Sequence, residues 1–386
     1  MPAMFTRQFT LPDHSFFLFG PRGTGKTTWL RHLLPDALWF DLLRTQTVLA
    51  LSRQPDSFRQ QVEGLPRGHW VVVDEVQRMP SLLNEVHALI ADRGNAYRFA
   101  LSGSSARKLK RLDVNLLAGR AINRQFFPLT AKELGYDVPI DRILKLGLLP
   151  QIHAEPRFAV DALDAYVGNY VREEVQQEAL VRNLESFARF LEVAALMNGQ
   201  VVNVAGIARD AATARPTVQG YFATLVDTLL GVWLPAWRKR AKVKEVASPK
   251  FYLFDPGVAR ALSGRGREPL EQAERGFLME TWVLHELRAA IAHRGAGGQL
   301  HYWRTPSGSE VDFVWTRGKR AVGVEVKASS TWRREHGAAL KALVDDGTLT
   351  DGHGVYTGSR VLKDGPIRVW PVMRFLRELA AGHILD

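Results

Sequence analysis

The chain has 386 residues, 46% of them hydrophobic, enough for two or three globular domains. It has no cysteine, which excludes disulfides, cysteine zinc sites and thiol catalysis. Its 51 lysines and arginines against 40 acids leave a net charge of +11, and that balance points to a polyanionic partner, of which nucleic acid is the commonest. The first residues lack the order of a signal peptide, and no apolar run approaches the ~18 residues that span a bilayer. The expectation is a cytoplasmic protein without membrane contact.

Residues 1–135 read as alternating strands and helices, which predicts a parallel sheet with helices on both faces. The candidate strands are Ser15–Phe19, Leu38–Asp41, Trp70–Asp74, Tyr97–Leu101 and Ile122–Phe127. After the first comes Gly20-Pro21-Arg22-Gly23-Thr24-Gly25-Lys26-Thr27, a gapless match to the phosphate-loop pattern, and Thr28–Leu34 reads as the helix it opens, stopped at Pro35. Glycines let the backbone turn its N–H groups toward phosphates, and the helix N-terminus adds positive dipole. Residues 20–28 are therefore the candidate nucleotide site, with Lys26 for the β- and γ-phosphates and the Thr27 hydroxyl for Mg²⁺. The strand Trp70–Asp74 ends in two acids: Asp74 is the candidate second Mg²⁺ contact and Glu75 the residue that polarises the attacking water. The strand near Arg98–Ser104 ends in polar Ser102. The following helix, roughly Ser105–Leu117, is basic through Arg107, Lys108, Lys110 and Arg111, and ends at Gly119-Arg120.

Residues 136–185 read as a helical connector with paired acids at Glu173-Glu174. Residues 186–262 carry three predicted helices, Phe187–Met197, Val204–Ala211 and one opened by Pro216. The third has Val218, Tyr221, Phe222, Leu225, Val226 and Leu229 at helical spacing, so that one face is expected to be core, and leaves Arg215, Thr217, Gln219 and Thr224 outside. Two strands follow, Val232–Trp237 and Lys250–Phe254, and five of the seven residues from Arg238 to Lys244 between them are basic (Arg238, Lys239, Arg240, Lys242, Lys244). Three helices and a basic hairpin are the order of a winged helix-turn-helix, whose third helix would enter the major groove and whose wing would touch phosphates. Ser263–Arg267 reads as a flexible linker.

From residue 268 a further α/β pattern begins and is taken to residue 386. A helix of about Leu270–Ala292 contains Glu280, and strands are expected at Leu300–Arg304, Ser309–Thr316 and Arg320–Lys327. Strand alternation puts Glu310 and Asp312 on one face, and Glu325 and Lys327 on the face opposite the neighbouring valines. If the strands pair, these side chains converge, with Glu280 able to join them, as a candidate Mg²⁺ site beside a lysine that could position water for phosphodiester attack.

On these residues the chain resembles prokaryotic AAA-type P-loop ATPases that carry a C-terminal domain of unknown function. The resemblance runs through Gly20–Thr27, Asp74-Glu75-Val76-Gln77, Leu101–Ser105, Gly119-Arg120, Tyr302-Trp303-Arg304, Ser307–Phe313 and Val324–Lys327. It implies that Ser102 is the polar sensor beside the γ-phosphate. It also implies that Arg120, with Arg124 as the fallback, is a finger reaching a neighbouring subunit of a homo-oligomeric ring such as a hexamer. The last stretch resembles the PD-(D/E)xK nuclease fold, with Glu280, Asp312, Glu325 and Lys327 at its acidic and E-x-K positions and Val311 in place of the proline. The fold class expected is α/β: a P-loop AAA-type sheet, a winged helix and a nuclease-like domain. The function expected is an ATP- and Mg²⁺-dependent ATPase that moves or remodels duplex or branched DNA, with cleavage left open. The alternative is a regulatory ATPase switch whose C-terminal parts bind proteins and cut nothing.

Overall fold

The computed structural model describes residues 5–105, 121–170, 183–238 and 248–385. The chain forms two compact units, one of Arg7–Pro128 with Asp227–Leu229, the other of Leu129–Val226 and Leu230–Asp386 with the first few residues. The basic helix after Ser105, Arg120, Glu173-Glu174 and the wing residues Lys239, Arg240, Lys242 and Lys244 lie outside the described residues.

The first unit is built on a five-stranded sheet in the order β2-β3-β4-β1-β5, all neighbours parallel. Its strands are β1 Phe16–Phe19, β2 Leu38–Asp41, β3 His69–Asp74, β4 Tyr97–Gly103 and β5 Ile122–Gln125. A parallel sheet is covered on both faces, and the period of two in its strands shows how. Phe16, Leu18 and Val72 join Trp29 and Leu30 of helix α1 (Lys26–Leu33) on one face. Phe17, Val71 and Val73 join side chains of α2 (Thr45–Arg53), α3 (Asp56–Glu63) and α4 (Leu82–Arg93) on the other. Each large side chain so buried contributes about 1.5–3 kcal/mol. The strand order places β4 between the strand that feeds the glycine loop and the strand that ends in Asp74.

The second unit holds short helices α5 (Ile140–Leu146), α6 (Pro150–Ala154) and α7 (Ala159–Ala165). Then come α8 (Leu184–Leu196), α9 (Val204–Asp210) and α10 (Arg215–Asp227), followed by an antiparallel pair, β6 (Gly231–Leu234) and β7 (Lys250–Leu253). Helix α11 (Pro256–Leu262) leads to the long α12 (Gln272–Arg294). A six-stranded mixed sheet in the order β12-β13-β11-β10-β9-β8 completes the unit. Its strands are β8 Gln299–Arg304, β9 Glu310–Arg317, β10 Arg320–Lys327, β11 Asp351–Tyr356, β12 Leu362–Asp364 and β13 Ile367–Pro371. Val322, Val324 and Val326 of β10 point into one core with Trp282 of α12 and Phe375 of α14 (Val372–Ala381). Leu340 and Leu343 of α13 (Ala338–Asp345) cover the opposite face against Val311 and Val314. That first core also takes Phe190, Tyr221, Phe222 and Tyr252, so the helices before residue 262 and the sheet after residue 298 share one apolar interior.

The stretch Ser263–Arg267 is not the flexible linker its composition suggests. Gly264 makes a turn at φ 76°, Arg265 pairs with Glu268 and Glu271 at 3.2 and 2.5 Å, and Arg267 pairs with Asp161 and Asp164, each at 2.7 Å. Guanidinium forks facing several carboxylates tie down a segment that glycine content alone would leave loose.

Candidate functional site

The glycine loop is shaped by close approach. A Cβ on Gly20 would lie 2.2 Å from the Phe126 carbonyl oxygen, so only glycine lets the end of β1 pass β5. Gly23 and Gly25 sit at φ 75° and 90°, which side chains resist. The buried Thr24 hydroxyl donates to the Pro21 carbonyl at 2.7 Å. From outside the loop Arg7 donates to the Thr24 carbonyl at 2.7 Å and the Phe127 carbonyl at 2.6 Å, with its guanidinium 4.2 Å from the Phe126 ring centre. Nothing in the residues around Arg7 signals this role in the sequence. Lys26 is 5% exposed, and its amine donates to the Gly20 and Pro21 carbonyls at 2.7 and 3.1 Å. Arg22, Gly23 and Thr28 are exposed at the mouth.

The acidic strand meets this loop. Asp74 is fully buried; the Thr27 hydroxyl donates to its Oδ2 at 2.8 Å and the Ser102 hydroxyl donates to its Oδ1. Burial raises the Asp74 pKa from the usual carboxylate range, against the two hydroxyl bonds that favour the charge. Ser102 also accepts from the Glu75 N–H at 3.3 Å. Glu75 turns away from the strand in a left-handed conformation, φ 60° and ψ 49°. Its carboxylate accepts from the Ser104 hydroxyl at 3.0 Å and from the Gln77 amide, which also donates to Ser104 at 2.9 Å. Gln77 and Ser104 are partners that the motifs do not assign. A Cβ at Gly103 would stand 2.8 Å from Gln77 Oε1, so that glycine makes room for the amide. Arg124 is exposed on β5, a strand at the edge of the sheet.

In the second unit α10 buries Val218, Tyr221, Phe222 and Leu225 and leaves Arg215 and Gln219 exposed, with Thr217 half-buried; Thr224, expected outside, is buried, and its hydroxyl is satisfied by donating to the Gly220 carbonyl at 2.9 Å. Arg238 is exposed.

The carboxylates of the last region do reach one cleft, of about 890 Å³, lined by Glu280, Glu310, Asp312, Glu325 and Lys327. They do not form the expected cradle of several acids and one lysine. Among the described residues no three carboxylate or imidazole side chains stand together as a metal site. Four largely buried acids need counter-charge, and a second lysine supplies it together with Arg304, which lies 3.4 Å from Glu310 Oε2. Lys250 of β7, 5% exposed, lies 2.5 Å from Glu310 Oε1 and 3.5 Å from Glu280 Oε2. Tyr252 donates to Glu280 Oε2 at 2.8 Å. Lys327 donates to Glu325 Oε1 and lies 4.0 Å from Asp312 Oδ2, which also accepts the Val326 N–H at 2.8 Å. Burial and the charge of Asp312 raise Glu280 to about 7 and Glu325 well above the usual range, in spite of the lysines. Burial alone would lower both lysine amines, but Glu280, Asp312 and Glu310 around Lys250, and Asp312 and Glu325 around Lys327, outweigh it and raise them. In the sequence Lys250 is only the first residue of a predicted wing strand; its role is invisible without the fold.

Residues 13–135 match a family described as an AAA domain. The match and the parallel sheet support an AAA-type P-loop ATPase domain. Residues 140–268 and 275–375 match two families each described only as a domain of unknown function, DUF8612 and DUF4143. Uncharacterized proteins of Mycobacterium tuberculosis and Mycobacterium bovis are each 28% identical over 319 residues, covering 81% of this chain and 70% of theirs. A RuvB variant of Thermotoga maritima aligns over 57% of this chain and 82% of its own at 18% identity, with a TM-score of 0.28. No helix among the described residues is long and apolar enough to cross a membrane.

Proposed function

We propose that the chain is an ATP-hydrolysing AAA-type ATPase that acts on duplex or branched DNA as a homo-oligomer. The observation that carries the ATPase half is the hydrogen-bonded set Thr27–Asp74–Ser102 beside the glycine loop, with Glu75 on the next residue. A buried carboxylate facing a loop of backbone N–H groups and a lysine is suited to Mg²⁺ and phosphates. In this reading the backbone of Gly20–Thr27 and the Lys26 amine bind the phosphates, and Thr27 and Asp74 hold Mg²⁺. Bound Mg²⁺–ATP supplies the phosphoanhydride to be split and the charge that neutralises it. Glu75 leaves Gln77 and Ser104 to accept a hydrogen bond from the attacking water, Ser102 orients that water, and Arg120 acts from a neighbouring subunit. The DNA half rests on the charge of +11 and on the order of α8, α9, α10, β6 and β7, which fits a winged helix presenting Arg215, Thr217, Gln219 and the basic run from Arg238.

The alternative, a regulatory switch with protein partners and no cleavage, is favoured by one observation: the carboxylates of the cleft are paired with lysines. ATP turnover by the wild type and by Lys26→Ala, with and without duplex and four-way DNA, tests the proposal. Turnover that depends on Lys26 and rises with DNA is expected. Turnover indifferent to DNA favours the switch, and turnover unaffected by Lys26→Ala removes the ATPase reading.

A further inference from the structure

Arg7 precedes β1 in the chain, and its half-buried guanidinium reaches the glycine loop from outside. Nη1 donates to the Thr24 carbonyl at 2.7 Å, and Nη2 donates to the Phe127 carbonyl at 2.6 Å. A rigid fork with both arms engaged fixes the loop against the chain that follows β5. The fork rests on Phe126, whose ring centre is 4.2 Å away. That ring is fully buried; it packs on Trp29 of α1 at 5.6 Å and on Phe9 at 5.8 Å, and Phe9 meets Trp29 at 5.0 Å. The segment from Arg7 to Phe9 is thus seated on the same aromatic cluster as the helix that the loop opens.

A trans peptide points its C=O and its N–H in opposite directions, and no peptide bond among the described residues is cis. Holding the Thr24 carbonyl toward Arg7 therefore turns the Gly25 N–H to the opposite side. Gly25 stands immediately before α1 at φ 90° and ψ 21°. A glycine has little conformational preference of its own with which to keep that plane fixed. The Thr24 hydroxyl is bound to the Pro21 carbonyl, so Thr24 is anchored by its side chain within the loop and by its carbonyl outside it. We propose that Arg7 is a positioning residue for the phosphates: by holding the Thr24 carbonyl it aims the Gly25 N–H at the phosphate side of the loop before nucleotide arrives. The inference rests on reading the loop as a nucleotide site. Arg7 acts through the backbone and touches no phosphate. A donor already aimed is not immobilised at the moment of binding, whereas an unclamped one is, and affinity falls by that cost. Loops of this pattern cradle the phosphates nearest the sugar with their N–H groups, so the loss belongs to the phosphate chain and not to the base.

The test is equilibrium binding of ATP, ADP and inorganic tripolyphosphate with Mg²⁺ to the full-length protein, beside its thermal midpoint without ligand. Wild type, Arg7→Ala and Lys26→Ala are compared at a temperature where all are folded. Arg7→Ala is expected to weaken all three ligands by a similar factor, about tenfold, the scale of one charge-assisted hydrogen bond. Turnover at saturating ATP should fall less than affinity, because Thr27, Asp74, Ser102 and Glu75 keep their contacts. Arg7→Gln, whose amide can hold one carbonyl but not fork between two, serves if the alanine variant does not fold, with a smaller loss expected. If the variant melts earlier yet binds all three ligands as wild type does, Arg7 only supports the fold and the inference is wrong. A loss confined to ATP and ADP, with tripolyphosphate unaffected, would place Arg7 at the base or sugar and overturn it equally. If wild type binds none of the three, or Lys26→Ala binds them as wild type does, the nucleotide site itself is wrong and this inference goes with it.

Discussion

Glu75 shows how much depends on where one carboxylate points. Its left-handed backbone costs of order 1 kcal/mol or more and sends the side chain to Gln77 and Ser104 instead of along the strand. Glu75→Gln keeps the shape and the hydroxyl partner but loses the charge that polarises water. Nucleotide affinity should stay near wild type while turnover falls by 10²-fold or more, on the order of what general-base removal costs. Single-turnover phosphate release beside nucleotide binding checks this, and a wild-type rate would dismiss Glu75 as the base. A second carboxylate, Glu286 on α12, makes a prediction about stability. It is buried, accepts the Ala131 N–H at 2.6 Å and the Trp282 indole N–H at 3.1 Å, and burial outweighs both bonds to raise it to about 8. Because the folded pKa lies above the unfolded one, its contribution to stability is full below about 4.5 and is lost as pH rises to about 8. Glu286→Gln accepts the same two bonds and never ionises. Its thermal midpoint should gain on wild type between pH 5 and pH 8.5, on the order of several °C, and level off above. Asp255 and Glu280, raised to about 6 and about 7, titrate in both proteins and cancel in the difference. A gap that does not change with pH would mean that Glu286 is charged throughout.

At the scale of elements, the glycine loop is held by contacts that a single methyl group disturbs. The Cβ of Gly20→Ala meets the Phe126 carbonyl at 2.2 Å, and a backbone oxygen cannot step aside as a flexible side chain can. The variant should lose nucleotide affinity about as fully as Lys26→Ala and also melt earlier. Gly64→Ala, at φ −74° after α3 with its nearest contact at 3.5 Å, should be neutral or stabilising by about 0.4–1 kcal/mol. Equal midpoints for the two variants would show that the loop shifts freely. The strands around this loop are legible in the sequence because a buried parallel strand is an unbroken apolar run, as in Trp70–Val73, and the loop because its glycines and lysine are contiguous. Strands β11 and β13 are not, because Asp351–Tyr356 carries two glycines and Ile367–Pro371 ends in proline. The fold explains those glycines: a Cβ at Gly352 would lie 2.7 Å from Ile367, and one at Gly354 2.6 Å from the Trp332 ring. In the cleft, alternation along β9 and β10 is enough to bring Glu310, Asp312, Glu325 and Lys327 together. Lys250 escapes because its partners lie 30 and 60 residues away in sequence and its charge merges with the basic run before it.

The whole molecule carries +11, and its densest basic stretch runs from Arg238 to Lys244 between β6 and β7. If this stretch meets the phosphate backbone, its contribution is electrostatic and blind to sequence, because the lysines and arginines displace counterions and read no bases. Replacing Arg238, Lys239 and Arg240 by alanine should then weaken binding to every duplex by a similar factor. The slope of log affinity against log salt should flatten by roughly 0.9 for each phosphate no longer neutralised, or about 2–3 in all. Changes to Arg215 and Gln219 on the exposed side of α10 should instead alter preference among sequences, since that helix is the one proposed to face base edges. Turnover reports on the coupling: in the triple variant, DNA should stimulate ATP hydrolysis only at higher DNA concentration, while the DNA-free rate stays at the wild-type value. If the salt slope is unchanged, the basic run does not touch phosphate. If the slope flattens but DNA never alters ATP turnover in either protein, binding and hydrolysis are uncoupled, and the regulatory switch with its protein partners becomes the better account of the chain.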